Sequence, residues 1–182
     1  DRKEGLTFKN EKGHQLECCV DADFAGLWGH EGEMDPVSVK SKTECTMTLA
    51  GCPVHWVSKL QTTISTSTLE AEYVALSQAT RELVPTRRLL QEIINAVDPE
   101  AGKDPAVIKS TMFEDNNRAT STVTSPRMTS GTKHMTVKCH CTTSQIIEGG
   151  GDIELRKIDS KNQKADILTK GLKKDDFECI RM

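Results

Sequence analysis

Aromatic side chains make up only 4% of this chain, with two Trp, one Tyr and four Phe in 182 residues. So few rings cannot organise an interior, and the core is expected to be aliphatic, built from Val, Ile, Leu, Ala and Cys. Long apolar runs are missing as well: no stretch approaches the roughly 20 residues that a membrane-spanning helix requires, which predicts no membrane segment. No signal peptide is evident. The seven cysteines, Cys18, Cys19, Cys45, Cys52, Cys139, Cys141 and Cys179, are odd in number and follow no regular framework. This excludes a disulfide scaffold and predicts a reducing, intracellular compartment. Excess charge of one sign is also lacking. A net charge of −3 excludes a protein that holds nucleic acid by bulk charge alone and leaves that role to a local basic patch.

What is present reads as one domain with a sizeable core, since apolar residues at 36% and charged residues at 28% are ordinary for a globular chain of this length. The start at Asp1 rather than Met is what a segment cut from a longer chain would show. After a polar lead-in, residues 1–14, the stretch Gln15–Phe24 alternates Leu16, Cys18, Val20, Ala22 and Phe24 with Glu17, Cys19, Asp21 and Asp23, a strand with two distinct faces. A long loop over 25–42 follows. Thr43–Ala50 and Val54–Thr63 form a hairpin about the turn Gly51-Cys52-Pro53. Ser67 or Thr68 then caps a helical pattern that runs to Val97, with Pro85 expected to kink or split it near Val84. Beyond the linker Pro99–Pro105, a strand over Val107–Phe113 ends in Glu114-Asp115-Asn116-Asn117, and a short helix starts at Asn117. Residues 134–148 are expected to be helical, Asp152–Ile158 a strand, and Ala165–Leu172 the start of a last helix. The element order gives an α/β (α+β) layered domain.

Within Ser65–Thr80 the helix puts Leu69, Tyr73, Leu76, Ala79 and Leu83 on one stripe, with Glu72 on its flank and Glu70 pointing away to solvent. A carboxylate turned toward an interior costs several kcal/mol unless it is neutralised, hydrogen-bonded or bound to a cation. Three more acids stand at element ends: Asp21 (or Asp23) on the first strand, Asp115 after the fourth and Asp166 opening the last helix. Where strand ends meet helix starts, such acids can converge. Four carboxylates together are tolerable with hard divalent cations such as Mg²⁺, and two ions about 4 Å apart would serve phosphodiester hydrolysis. Each acid also has a plain reading: Asp115 as a turn former, Asp166 as a helix N-terminal acid, Asp21 as an edge-strand charge, and Glu72 as a helix-edge acid reaching water. Cys139-His140-Cys141 with His134 nearby admits a zinc site or buried small hydrophobes.

The strings VDADFAG (20–26), STLEAEYVALSQA (67–79), FEDNN (113–117), TKHMTVKCH (132–140) and KADILTKGL (164–172), in this order, resemble the ribonuclease H domain of copia-type LTR retrotransposon polyproteins. The resemblance covers about residues 15–178 as one domain and leaves 179–182 as a tail. It implies a ribonuclease H-like fold, a mixed five-stranded sheet with its first three strands antiparallel and helices on both faces. It implies the tetrad Asp21, Glu72, Asp115 and Asp166 as catalytic metal ligands, with two Mg²⁺ ions and Mn²⁺ as a substitute. The implied substrate is the RNA strand of an RNA:DNA hybrid, and the implied partner is the reverse transcriptase portion of a parent polyprotein, in a cytoplasmic virus-like particle or the nucleus. Contacts to 2′-hydroxyls and minor-groove shape would fall to Asn116, Asn117, Ser65 and Thr66, and phosphate contacts to Lys133, Lys138, Lys164 and Lys170.

The chain departs from the family pattern at Thr43-Glu44-Cys45, Gly131-Thr132, Cys141-Thr142-Thr143 and Lys170-Gly171, and has no His between Ile158 and Asp166. Such changes leave a second reading, a degenerate, non-catalytic remnant that keeps the fold. A DDE-type transposase is disfavoured because the Glu lies on the first helix.

Overall fold

The alternation at the start of the chain builds β1 (Leu16–Asp23), whose Leu16, Cys18 and Val20 enter the core while Glu17 and Asp23 stay half-buried. The structure, a computed structural model, describes residues 15–29, 34–102, 108, 110–124, 144–148, 153–169 and 171–180. β2 (Lys42–Leu49) and β3 (Cys52–Leu60) form the expected hairpin, and β1 pairs antiparallel with β2. The turn, however, is Ala50-Gly51, both at positive φ (53° and 87°) as a two-residue type I′ connection requires. Cys52 and Pro53 therefore belong to β3. Proline is tolerated there because β3 is an edge strand, and a register shift falls between Met47 and Thr48 opposite it.

β4 (Ser110–Glu114) and β5 (Ile153–Lys157) complete a five-stranded sheet of order β3-β2-β1-β4-β5, in which β1–β4 and β4–β5 are parallel. β4 runs one residue past the expected end at Phe113, β5 ends one residue before Ile158, and Val107 and Asp152 lie outside the described residues.

α1 (Thr68–Val97) is one continuous helix of 30 residues, not two. Pro85 removes one backbone donor and leaves the Arg81 carbonyl without its i+4 partner. Both residues are exposed, so water takes that carbonyl and the helix runs through. Its apolar stripe packs on β1 and β2. Tyr73, Leu76, Ala79 and Leu83 meet Leu16, Cys18, Val20, Cys45 and Met47. Met47 and Met112, both fully buried, join the expected aliphatic core, their unbranched chains filling irregular gaps. The opposite sheet face is closed too, since Cys19, Asp21, Glu44, Thr46 and Thr48 are buried.

A single turn, α2 (Pro99–Gly102), follows α1, and α3 (Asn117–Thr124) starts where expected, burying Ala119 and Val123. Residues 144–148 form one π turn, the described part of the expected helix over 134–148. The last expected helix is two short pieces, Asp166–Thr169 and Lys174–Ile180, and the first lies against β1 and β2. Cys18, Cys19, Cys45 and Cys52 are buried. Cys139, His140, Cys141 and His134, the residues of the zinc reading, lie outside the described residues.

Candidate active site

Because β1 and β4 are parallel neighbours, they deliver their C-terminal ends to the same edge of the sheet. Asp21 is near the end of β1 and Asp115 follows β4 directly. Glu72 arrives from the second turn of α1, and what fixes that helix is Gln61. Its fully buried amide Nε2 donates to Thr43 Oγ1 (3.2 Å) and to the Ala71 carbonyl (2.9 Å), while its Oε1 accepts from Ser65 Oγ (2.9 Å). One side chain thus ties the end of β3, strand β2 and the start of α1 together. No periodic signal marks Gln61 in the sequence.

Asp21, Glu72 and Asp115 each present a carboxylate oxygen, and these oxygens all lie within 4.8 Å of one another. Asp21 and Glu72 are buried and Asp115 is half-buried. Of the two candidates on β1, Asp21 joins this group. The Asp23 carboxyl instead lies over Gly26, where a Cβ would collide with it. Asp166 is buried at the start of its helical turn but stands outside the group of three. An all-oxygen donor set of three acids at this spacing suits a hard cation such as Mg²⁺ or Mn²⁺.

The neighbouring Glu70 does not face solvent. It is buried, with 5% exposure, because it closes the helix start: Ser67 Oγ accepts from the Glu70 N–H (3.1 Å), and the Glu70 carboxylate accepts from the Thr66 N–H (2.8 Å) and Oγ1 (2.9 Å). This is a reciprocal cap shifted one residue outward, strong enough to turn the carboxylate back over the first turn.

Two further acids at this end of the sheet were not singled out by sequence. Glu44 is opposite Asp21 across the β1–β2 ladder, fully buried, with Ser58 Oγ donating to its Oε1 (3.1 Å). Burial raises its pKa to about 7; the Ser58 bond works against this, and the charges of Asp21 and Asp23 reinforce it. Glu114, also fully buried, accepts the Asn116 N–H (3.0 Å). Burial raises it to about 8, opposed by that bond and reinforced by Asp115 and Asp21. Glu114 therefore adds little charge to the cluster near neutral pH. The alternation along β2 could have pointed to Glu44 once its register against Asp21 was known; from the strand alone it could not.

Of the expected hybrid contacts, Ser65 is buried and engaged with Gln61, and the exposed Thr66 donates to Glu70. Asn116 Oδ1 caps α3 by accepting the N–H groups of Arg118 (3.0 Å) and Ala119 (3.2 Å), and Asn117 is exposed. Lys164 is half-buried. Lys133, Lys138 and Lys170 lie outside the described residues.

No protein-family model matches the chain. It is 28% identical over 173 residues, 91% of its length, to the retrovirus-related Pol polyprotein from transposon TNT 1-94 of Nicotiana tabacum. It is 26% identical over 96% of its length to the polyprotein of transposon RE1 of Arabidopsis thaliana. The chain spans 11% of the length of each of these relatives. Among solved structures, LC11-RNase H1, isolated from compost by a metagenomic approach, superposes with a TM-score of 0.51 at 15% identity, over 85% of this chain and 92% of that one. The chain is thus a homologue of a segment of transposon Pol polyproteins, matched over most of its own length, and it has the ribonuclease H fold.

Proposed function

We propose that this domain hydrolyses the RNA strand of RNA:DNA hybrids during the reverse transcription of a retrotransposon. The observation that carries the reading is the meeting of Asp21, Glu72 and Asp115 within 4.8 Å at one end of a ribonuclease H-type sheet. Asp21, Glu72 and Asp115, with Asp166 as the fourth acid, would hold two Mg²⁺ ions, or Mn²⁺ in their place. Bound there, such ions supply Lewis acidity to the phosphodiester and a water of lowered pKa. The chain's own part is to keep the acids fixed: Gln61 holds the start of α1 and so Glu72, and Ser160 Oγ donates to Asp115 Oδ2 at 2.7 Å. The neutral form of Glu114 limits repulsion as the acids gather.

Selection of RNA needs contacts to 2′-hydroxyls and to groove shape rather than to base edges, so cleavage is expected to be largely indifferent to sequence. Asn116, Asn117, Thr66 and Lys133 are the proposed contacts to the hybrid, Ser65 being buried and bonded to Gln61, and the reverse transcriptase portion of a parent polyprotein is the proposed covalent partner. The proposed setting is intracellular, in a cytoplasmic virus-like particle or the nucleus.

Incubation of a labelled RNA:DNA hybrid with the protein and Mg²⁺ is expected to release RNA fragments. Asp115→Asn and Glu72→Gln should each abolish that release, and cleavage that persists in both would sink the assignment. One observation favours the non-catalytic reading: Asp166 stands outside the group of three acids. That reading predicts a folded protein with no cleavage under Mg²⁺ or Mn²⁺.

A further inference from the structure

The connection between β5 and Asp166 touches both acid-bearing strands. After β5, the Ile158 N–H still bonds to the Glu114 carbonyl (3.0 Å), extending the ladder beside Asp115. Asp159 then caps a 3₁₀ turn over Ser160–Asn162 by accepting the Lys161 N–H (3.1 Å). From this turn two side chains reach across the fold. Ser160 is exposed, yet its hydroxyl donates to Asp115 Oδ2 at 2.7 Å. Gln163 is fully buried, and its Nε2 donates to the Val20 carbonyl, also at 2.7 Å, at the residue preceding Asp21. The Gln163 carbonyl in turn accepts the Asp166 N–H (3.2 Å).

An exposed serine ordinarily gives its hydroxyl to water, and an amide taken out of water is costly unless it is hydrogen-bonded. Both side chains instead join elements far apart in sequence, and each lands on, or next to, one of the three clustered acids. The two bonds fix the connection against the ends of β1 and β4 at once, so the segment that opens with Asp166 has its position set relative to Asp21 and Asp115.

We propose that Ser160 and Gln163 are positioning residues of the metal-binding site, Ser160 by orienting the Asp115 carboxylate and Gln163 by docking the Asp166 segment onto β1. The inference rests on the hydrolytic reading above only for its effect on cleavage; its effect on cation binding stands apart from that reading. Groups that orient ligands typically change cation affinity by about ten-fold or more when removed.

The test is a calorimetric titration of the full chain with Mn²⁺, alongside thermal unfolding and hybrid cleavage. Ser160→Ala, at an exposed position, is expected to unfold at the wild-type temperature and to bind Mn²⁺ about ten-fold more weakly, with Ser160→Thr restoring the affinity. Gln163→Met, which keeps the bulk and loses the donor, is expected to weaken Mn²⁺ binding in the same titration and to lower kcat on the hybrid with KM unchanged, and wild-type Mn²⁺ affinity in this variant overturns the role of Gln163. Wild-type Mn²⁺ affinity in Ser160→Ala overturns the inference, as does a wild-type protein that binds no Mn²⁺. If Mn²⁺ binding weakens in Ser160→Ala while no variant and no wild type cleaves hybrid, the inference stands and the proposed activity falls.

Discussion

Glu70 and Glu72 sit two positions apart on one helix, and the structure gives them separate tasks. Glu70 satisfies backbone and hydroxyl donors at the start of α1, whereas Glu72 faces Asp21 and Asp115. Their removal should be felt in different measurements. Glu70→Ala leaves the Thr66 N–H without its acceptor and is expected to lower stability by about 1 kcal/mol, the usual worth of a helix cap. It should not alter Mn²⁺ affinity. Glu72→Gln should weaken Mn²⁺ binding by at least an order of magnitude and leave the unfolding temperature near or above that of wild type, because it removes a buried charge from a repulsive group. Chemical denaturation and metal titration of the two variants decide this, and a Glu70→Ala variant with weakened metal binding would contradict the division. The helix period made Glu72 legible in the sequence, because its direction follows from backbone geometry. Glu70 was not legible: a flexible side chain can fold back against its own helix start, and a helical wheel carries no information about that.

The elements were legible wherever a periodic pattern ran for several residues. The alternation of β1, the hairpin partners and the cap at Ser67 all follow from local rules, and so does the start of α3 at Asn117. Two local signals misled, each because solvent or topology relieved an expected conflict. Pro85 does not split α1, since its missing hydrogen bond lies on the wet side. Pro53 does not mark the turn, since an edge strand accepts it and the residues that reverse the chain are Ala50 and Gly51. Ala50 at φ 53° holds a conformation that costs a residue with a Cβ about 1 kcal/mol or more. Asparagine is tolerated better there, and Asn-Gly is a favoured pair for this turn. Ala50→Asn is therefore expected to raise the melting temperature by about 2–4 °C in a domain of this size, with hybrid cleavage unchanged. A calorimetric scan showing no rise, or a fall, would mean that the strain at Ala50 is not felt.

Across the whole molecule, the sheet order brings together residues that no local pattern could join, and this is where sequence reasoning ran out. Glu44 meets Asp21 only through the β1–β2 register, and Ser160 reaches Asp115 only because β5 runs parallel beside β4. The fold therefore concentrates acids at one end of the sheet and buries two of them fully, Glu44 and Glu114. Both have pKa values raised above the ordinary 4.5, to about 7 and about 8, chiefly by burial. An acid whose folded pKa is raised favours the fold while it is protonated in both states, below about 4.5, and that advantage is lost as the pH rises through the folded pKa. Stability of the metal-free protein should thus decline from about pH 4.5 rather than plateau, with both acids contributing up to about pH 7 and Glu114 alone from there to about pH 8. At about 1.4 kcal/mol per pKa unit, Glu44 accounts for a loss on the order of 3 kcal/mol and Glu114 for one on the order of 5 kcal/mol. Glu114→Gln keeps an acceptor for the Asn116 N–H and cannot ionise, so it should flatten the decline above about pH 7. Glu44→Gln, which keeps the acceptor for Ser58, should make the decline shallower up to about pH 7 and leave the part above it unchanged. The measurement is urea unfolding at a series of pH values in the presence of a chelator. A wild type whose stability climbs from about pH 5 to 8 would show instead that ionised, well-solvated acids dominate this end of the sheet.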